Sequence, residues 1–143
     1  MKKIAILNGP NLHRLGKREP EVYGTQTLDD IMADLKRTAD QFGAEIEHFQ
    51  SNHEGDLIEK IHAWSDAGIT LGIINPAGLT HTSVALRDAI SASPIRFVEV
   101  HLSHIYRREE FRHHSVTAPA CVAQVTGMGA QGYQAALHYL LNL

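Results

Sequence analysis

The stretch LGIINPAGLTHTSVALRDAISASPIRFVEVH, residues 71–101, holds one full cycle of the chain's architecture. Leu71 to Ile74 is a short apolar run of strand character. Val84, Ala85, Ala89 and Ile90 then recur at helical spacing, and Ile95 to His101 is again short, apolar and β-branched. Two strands joined through a helix require a crossover, which is right-handed and makes the strands parallel.

The same alternation extends in both directions. Ile4 to Leu7, Ala44 to Phe49 and Val122 to Val125 read as further strands, five in all. Leu28, Ile31, Leu35 and Ala39 mark one helix, and Leu57, Ile58, Ile61 and Trp64 another; a last helix runs from about Gly129 to Leu141. The pattern predicts an α/β fold: a five-stranded parallel sheet covered on both faces, a flavodoxin-like three-layer sandwich of strand order 2-1-3-4-5 rather than a barrel. At 143 residues, without repeat, low-complexity tract or linker, the chain is expected to form a single domain, 1–143.

A net charge of -3 gives no general attraction to nucleic acid and directs attention to small-molecule ligands. Cys121 is the one cysteine, so no intrachain disulfide forms; its apolar neighbours Val122, Ala123 and Val125 predict a buried thiol and fit a reducing, cytoplasmic setting. Lys2 and Lys3 before Ile4 to Leu7 mimic a leader, but the run stops at Asn8-Gly9-Pro10. Nothing approaches membrane-spanning length.

Open parallel sheets bind ligands beyond the carboxyl ends of their strands. Here the first strand runs into Asn8-Gly9-Pro10-Asn11, the third into Asn75-Pro76-Ala77-Gly78 and the fourth into Glu99-Val100-His101-Leu102-Ser103. Glu99, His101 and Ser103 are spaced by two, which puts them on one face. A carboxylate so placed fixes the histidine tautomer and stabilises the imidazolium, a general acid near neutral pH. The same spacing also describes a structural ion pair.

Other segments have two readings each. Residues 16–24 (Gly16 to Gly24) carry charge, a proline and flanking glycines, the composition of an exposed loop or lid. Within it Tyr23 is a poor base at a reference pKa of about 10, and a guanidinium such as Arg18 lowers an acid by about 1–3; the alternative is a surface aromatic. Thr80-His81-Thr82-Ser83 opens the third helix, with Thr80 a candidate cap and free N–H groups facing either an anion or solvent. Tyr106 to His114 is densely charged and reads mostly as solvated surface or an oligomer contact.

Ten histidines invite a metal, yet no His-Glu-x-x-His motif or zinc-type Cys/His cluster exists, so no metal is expected. Ser83 with His81 or His101 and Asp88 forms a weak hydrolase triad, because no Gly-x-Ser-x-Gly elbow follows a strand. None of Lys2, Lys3, Lys17, Lys36 and Lys60 lies within an apolar strand where desolvation would activate an imine-forming amine.

Taken together, Asn8-Gly9-Pro10-Asn11-Leu12, Arg18-Glu19-Pro20 before Tyr23-Gly24, Gln50-Ser51-Asn52-His53-Glu54-Gly55, Thr80-His81-Thr82-Ser83, His101-Leu102-Ser103, Arg108-Glu109-Glu110-Phe111-Arg112 and Gly132-Tyr133 closely resemble the type II 3-dehydroquinate dehydratases, in order and spacing and across essentially the whole chain. The resemblance implies a cofactor-free anti elimination of water from 3-dehydroquinate through an enolate, giving 3-dehydroshikimate. That step belongs to the shikimate pathway, toward chorismate and aromatic amino acids, and is shared with quinate breakdown.

By the resemblance, Tyr23 is the base, Arg18 keeps it ionised, Asn11 organises a water at the enolate oxygen, His101 protonates the departing hydroxyl and Glu99 orients His101. Asn75 with the backbone of Leu102 and Ser103 would hold the carboxylate, with His81, Arg112 and Asp88 near the ring hydroxyls. The resemblance also implies a homododecamer, a tetramer of trimers, in which Asp88 reaches a neighbouring subunit's site. The chain departs from the usual pattern at His13-Arg14, Pro76-Ala77, Leu79, His104 and Tyr106-Arg107. The rival reading is a flavodoxin-like phosphate or flavin binding module; such a module wants a Ser/Thr/Gly-rich loop where Asn8-Gly9-Pro10-Asn11 stands.

Overall fold

Strand β1 (Lys3–Asn8) lies inside the sheet with a neighbour on each side, and every residue after Lys3 is buried. The structure, a computed structural model, describes residues 2–17, 21 and 25–143. The other strands are β2 (Glu45–Gln50), β3 (Leu71–Asn75), β4 (Arg96–His101) and β5 (Ala123–Thr126), and all pairings are parallel in the order 2-1-3-4-5. Between them come α1 (Leu28–Gln41), α2 (Glu54–Asp66) and α3 (Val84–Ala92), with α4 (Gln131–Leu141) last. The predicted sheet, its order and its flavodoxin-like layering are therefore observed.

The alternation of side chains along β1 builds two cores. Ile4 and Ile6 join Ile73, Val98 and Val100 beneath α1 and α4, while Ala5 and Leu7 join Ile74 and Phe97 beneath α2 and α3. By the same parity Asn8 and Asn75 continue the first face, and Glu99 and His101 the second. The strand ends thus bring polar groups of both faces to one edge.

Helix starts follow local chemistry. A reciprocal capping box joins Thr27 and Asp30 at 3.1 Å in both directions. At α3 the cap is Ser83, whose Oγ accepts from Leu86 N–H at 2.9 Å. This corrects the sequence reading, which put Thr80 there: Thr80 lies in a 3-10 turn over Ala77–His81 and is fully buried. That turn, closed by Leu79 carbonyl bonds to Thr82 and Ser83, delays the helix by three residues. The apolar stripe shifts with it, since Val84 is exposed and Leu86, Ala89 and Ile90 face the core. Cys121 is half-buried rather than buried, and burial pushes its thiol up to about 12.

Candidate active site

A cleft of about 160 Å³ opens at the carboxyl ends of β1, β3 and β4. Its walls come from the turn after β1 (Pro10, Asn11, Leu12, Arg14, Leu15), the turn after β3 (Ala77, Gly78, His81) and the segments after β4 (His101 to Ser103, Ile105, Arg108, Arg112), with Asn75 between them. Three arginines and two histidines, and no acidic residue among the described lining, make the cleft attractive to an anion.

The β1 turn is held in place by close approach and by β2. Gly9 N–H donates to the Asn75 carbonyl at 2.8 Å. A Cβ on Gly9 would sit 2.5 Å from the Pro76 carbonyl oxygen, so glycine alone permits this approach. Gln50 Nε2 donates to the Gly9 carbonyl at 3.0 Å, and Asn11 N–H donates to Asn52 Oδ1 at 2.9 Å. Asn11 has a left-handed φ of 72°, and Ala77 across the cleft has one of 54°. Backbone strain at two walls of one cleft is a mark of a functional site.

Glu99 and His101 meet on β4. His101 Nε2–H donates to Glu99 Oε2 at 2.9 Å, and both side chains are buried. Three further donors converge on the same carboxylate: Ser115 Oγ and Gln124 Nε2, both at 2.9 Å, and Thr117 Oγ1. Burial pushes the Glu99 carboxyl up, but the bonds from His101 and Thr117, the charge of His101 and the bond from Gln124 outweigh it and hold Glu99 below the ordinary carboxylate range. Glu99 is therefore an anion that holds one nitrogen of the His101 ring, with the opposite nitrogen left for the cleft.

His81 has the complementary character. Its Nδ1–H donates to the His114 carbonyl at 2.9 Å, which leaves Nε2 as an acceptor. Burial, and then the charges of His101 and Arg112, lower its pKa against the opposing pull of the His114 carbonyl and Glu99. Arg112 is held by Glu109 at 3.1 Å and Arg108 by Ser103 Oγ at 3.3 Å.

Of the residues singled out from sequence, Asn11, Asn75, His81, His101, Leu102, Ser103 and Arg112 line one cleft, and Glu99 stands behind His101. Asp88 is exposed on α3 and lines no part of this cleft within one chain. Arg18 and Tyr23, with most of the loop that carries them, lie outside the described residues. Sequence reasoning missed Arg14 and Arg108 as cleft walls, Asn52 as a brace, and Ser115, Thr117 and Gln124 as partners of Glu99. For Gln124 a signal existed, because pairing β4 with β5 sets Glu99 opposite Gln124. For Ser115 and Thr117 none did, since their approach depends on a loop folding back against β4.

The Dehydroquinase class II family model matches residues 2–141. A protein named 3-dehydroquinate dehydratase 1 from Ralstonia nicotianae is 52% identical over 139 residues, 97% of this chain and 89% of its own length. The 3-dehydroquinate dehydratase of Bacillus subtilis is 52% identical over 144 residues, 99% of this chain and 95% of its own. Among solved structures, the type II dehydroquinase from Butyrivibrio crossotus superposes with a TM-score of 0.96 at 42% identity, covering 99% of this chain and 98% of that one.

Proposed function

The chain belongs to the class II dehydroquinase family, and from that premise we propose that it dehydrates 3-dehydroquinate to 3-dehydroshikimate by a two-step anti elimination without a cofactor. The observation that carries the reading is the buried Glu99–His101 pair opening onto a cleft whose described charged walls are all basic. The substrate is a carboxylate, and the reaction has to protonate a poor leaving group; the cleft has cations for the first task and an imidazolium for the second.

In this reading Tyr23, as tyrosinate, takes a proton from carbon 2 and leaves an enolate at the adjacent ketone. Arg18 holds Tyr23 ionised; both assignments rest on the match of their segment to the family. Asn11, fixed by Asn52, organises a water against the enolate oxygen. Collapse of the enolate expels the carbon 1 hydroxyl, which takes its proton from His101 and leaves as water. Glu99 balances the imidazolium before that transfer and keeps the ring oriented after it.

Asn75 and the N–H groups of Leu102 and Ser103 receive the carboxylate. The carbonyls of His101 and Leu102 accept from Gly127 and Gly129, and that of Ser103 accepts from Thr126 Oγ1, which fixes this segment on its other side. Nε2 of His81 accepts from a ring hydroxyl, and Arg112 donates to one. Asp88, exposed on α3, serves a neighbouring subunit's cleft in a homododecamer built as a tetramer of trimers. We place the enzyme in the cytoplasm; among the described residues no helix is long and apolar enough to cross a membrane. The fold alone would equally accommodate a phosphate or flavin module, and it is family membership that selects the lyase.

The test is growth of the conjugated enone absorbance of 3-dehydroshikimate from 3-dehydroquinate in buffer containing EDTA. Enzyme-dependent growth is expected, with near-complete loss in Tyr23→Phe and unchanged melting. No growth from folded protein at high concentration refutes the assignment. Near-native turnover in Tyr23→Phe removes that residue from the mechanism.

A further inference from the structure

A chain of hydrogen bonds with a single direction of donation runs from the cleft to the edge of the sheet. Its direction is set at one end by a group that only donates: Ala77 N–H bonds to Asn75 Oδ1 at 3.1 Å. The nitrogen of that amide must then face the other way, and Asn75 Nδ2–H donates to the Tyr133 hydroxyl at 3.1 Å. Tyr133 has one proton to give, and it goes to Asn8 Oδ1 at 2.5 Å. Asn8 Nδ2–H in turn meets Nε2 of His48 at 3.0 Å, which requires that nitrogen to be an acceptor.

Asn8, Asn75 and Tyr133 are 0%, 3% and 0% exposed, so none of them trades these partners for solvent. Burial pushes the Tyr133 phenol up, against the bond from Asn75, and keeps it a proton donor. The register pairs Asn8 with Asn75 on adjacent strands, and Tyr133 rises from α4 to meet both. An inverted Asn75 amide would set its NH₂ against Ala77 N–H. It would also leave Tyr133 facing a carbonyl oxygen when its proton already belongs to Asn8.

We propose that Tyr133, with Asn8 and His48 behind it, is a positioning residue for substrate binding: Ala77 N–H sets the end of the Asn75 amide, and Tyr133, by accepting one Nδ2 proton, fixes where the other points. The inference rests on the reading of Asn75 as a carboxylate ligand. One Asn75 Nδ2 proton is committed to Tyr133, and the second lies in the same amide plane, so its aim follows from that bond. The carboxylate is a spectator in the elimination, so its contact holds substrate and transition state alike and is read in KM.

The experiment is steady-state kinetics on Tyr133→Phe, Asn75→Ala and the double variant, each normalised to folded enzyme. Tyr133→Phe is expected to raise KM about tenfold with kcat within about twofold, the equivalent of about 1.4 kcal/mol. On top of Asn75→Ala it is expected to raise KM no further. A purely structural role raises KM by the same factor in both backgrounds or in neither; that result overturns the inference. If Asn75→Ala leaves KM at the parent value, the carboxylate-ligand reading falls, and this inference with it. Should Tyr133→Phe fail to fold, half-buried His48 supplies the decision. His48→Leu removes the acceptor and is expected to raise KM about threefold, whereas His48→Gln offers a carbonyl oxygen and returns KM toward the parent. Equal KM in those two variants overturns the inference.

Discussion

Replacing Glu99 by Gln keeps the shape of the side chain and removes its charge, and the surroundings make the consequence calculable. Four donors converge on the carboxylate, from His101, Ser115, Thr117 and Gln124. Oε2 accepts from His101, Ser115 and Gln124 and Oε1 from Thr117; an amide oxygen in the Oε2 place accepts two of its three donors, and the new NH₂ meets Thr117 Oγ1, a hydroxyl that can turn to accept, so one donor loses its partner. At about 1–3 kcal/mol for a buried group left unsatisfied, the variant is expected to lose about 1–3 kcal/mol of stability. The variant also removes the negative charge in contact with the His101 imidazole. In the proposed mechanism that charge supports the general acid, so kcat of the folded variant should fall by at least about tenfold. The linkage sign is fixed by the depressed folded value of Glu99: its stabilisation is present above the ordinary carboxylate range and is lost as pH falls through the folded value. Urea titrations at pH 7 and pH 4 should therefore converge for Glu99→Gln relative to the parent. The pH-rate profile of folded protein is the decisive measurement. A kcat within about twofold of the parent at every pH would refute the reasoning and leave Glu99–His101 a structural ion pair.

Two further substitutions report on the cleft walls. Gly9→Ala sets a methyl 2.5 Å from the Pro76 carbonyl oxygen and 2.8 Å from its carbon, both backbone atoms with little freedom to give. A loss of about 1–3 kcal/mol is expected in urea titration, with a raised KM as the turns after β1 and β3 part; unchanged values for both would show that the turns are not clamped. Ala77→Gly relieves a side chain held at a φ of 54°. The strain is about 1–2 kcal/mol and glycine's greater freedom when unfolded takes back about 0.5–1, so a net gain of about 0.5–1 kcal/mol is expected, and a lower melting temperature would contradict it.

The layered fold was legible because period-2 and period-3.6 patterns are local, and the parallel sheet follows from their alternation. The acid-base pair was legible for the same reason: Glu99 and His101 are two apart on one strand, and a strand's pleat is nearly invariant. What failed to show were contacts decided by loops and by distant segments. Asn52 reaches Asn11 across 41 residues, and Tyr133 reaches Asn8 across 125. The helix cap was misplaced because Thr80, Thr82 and Ser83 all suit the role. A buried 3-10 turn, packed by tertiary contacts, decided among them.

The distribution of polar groups over the two faces of the sheet explains how one edge holds two tasks without interference. The pleat sends Asn8 and Asn75 toward α4, where Tyr133 closes their hydrogen bonds, and sends Glu99 and His101 the opposite way, where Ser115, Thr117 and Gln124 close theirs. In the proposed mechanism a charge change at His101 is met by the Glu99 network on its own face. It asks for no rearrangement of the amide network on the other. Binding and proton transfer then have separate supports that meet only in the cleft. Substitutions behind Asn75 should therefore appear in KM and those behind His101 in kcat and its pH dependence, and a variant of Tyr133 combined with one of Gln124 should show nearly additive effects.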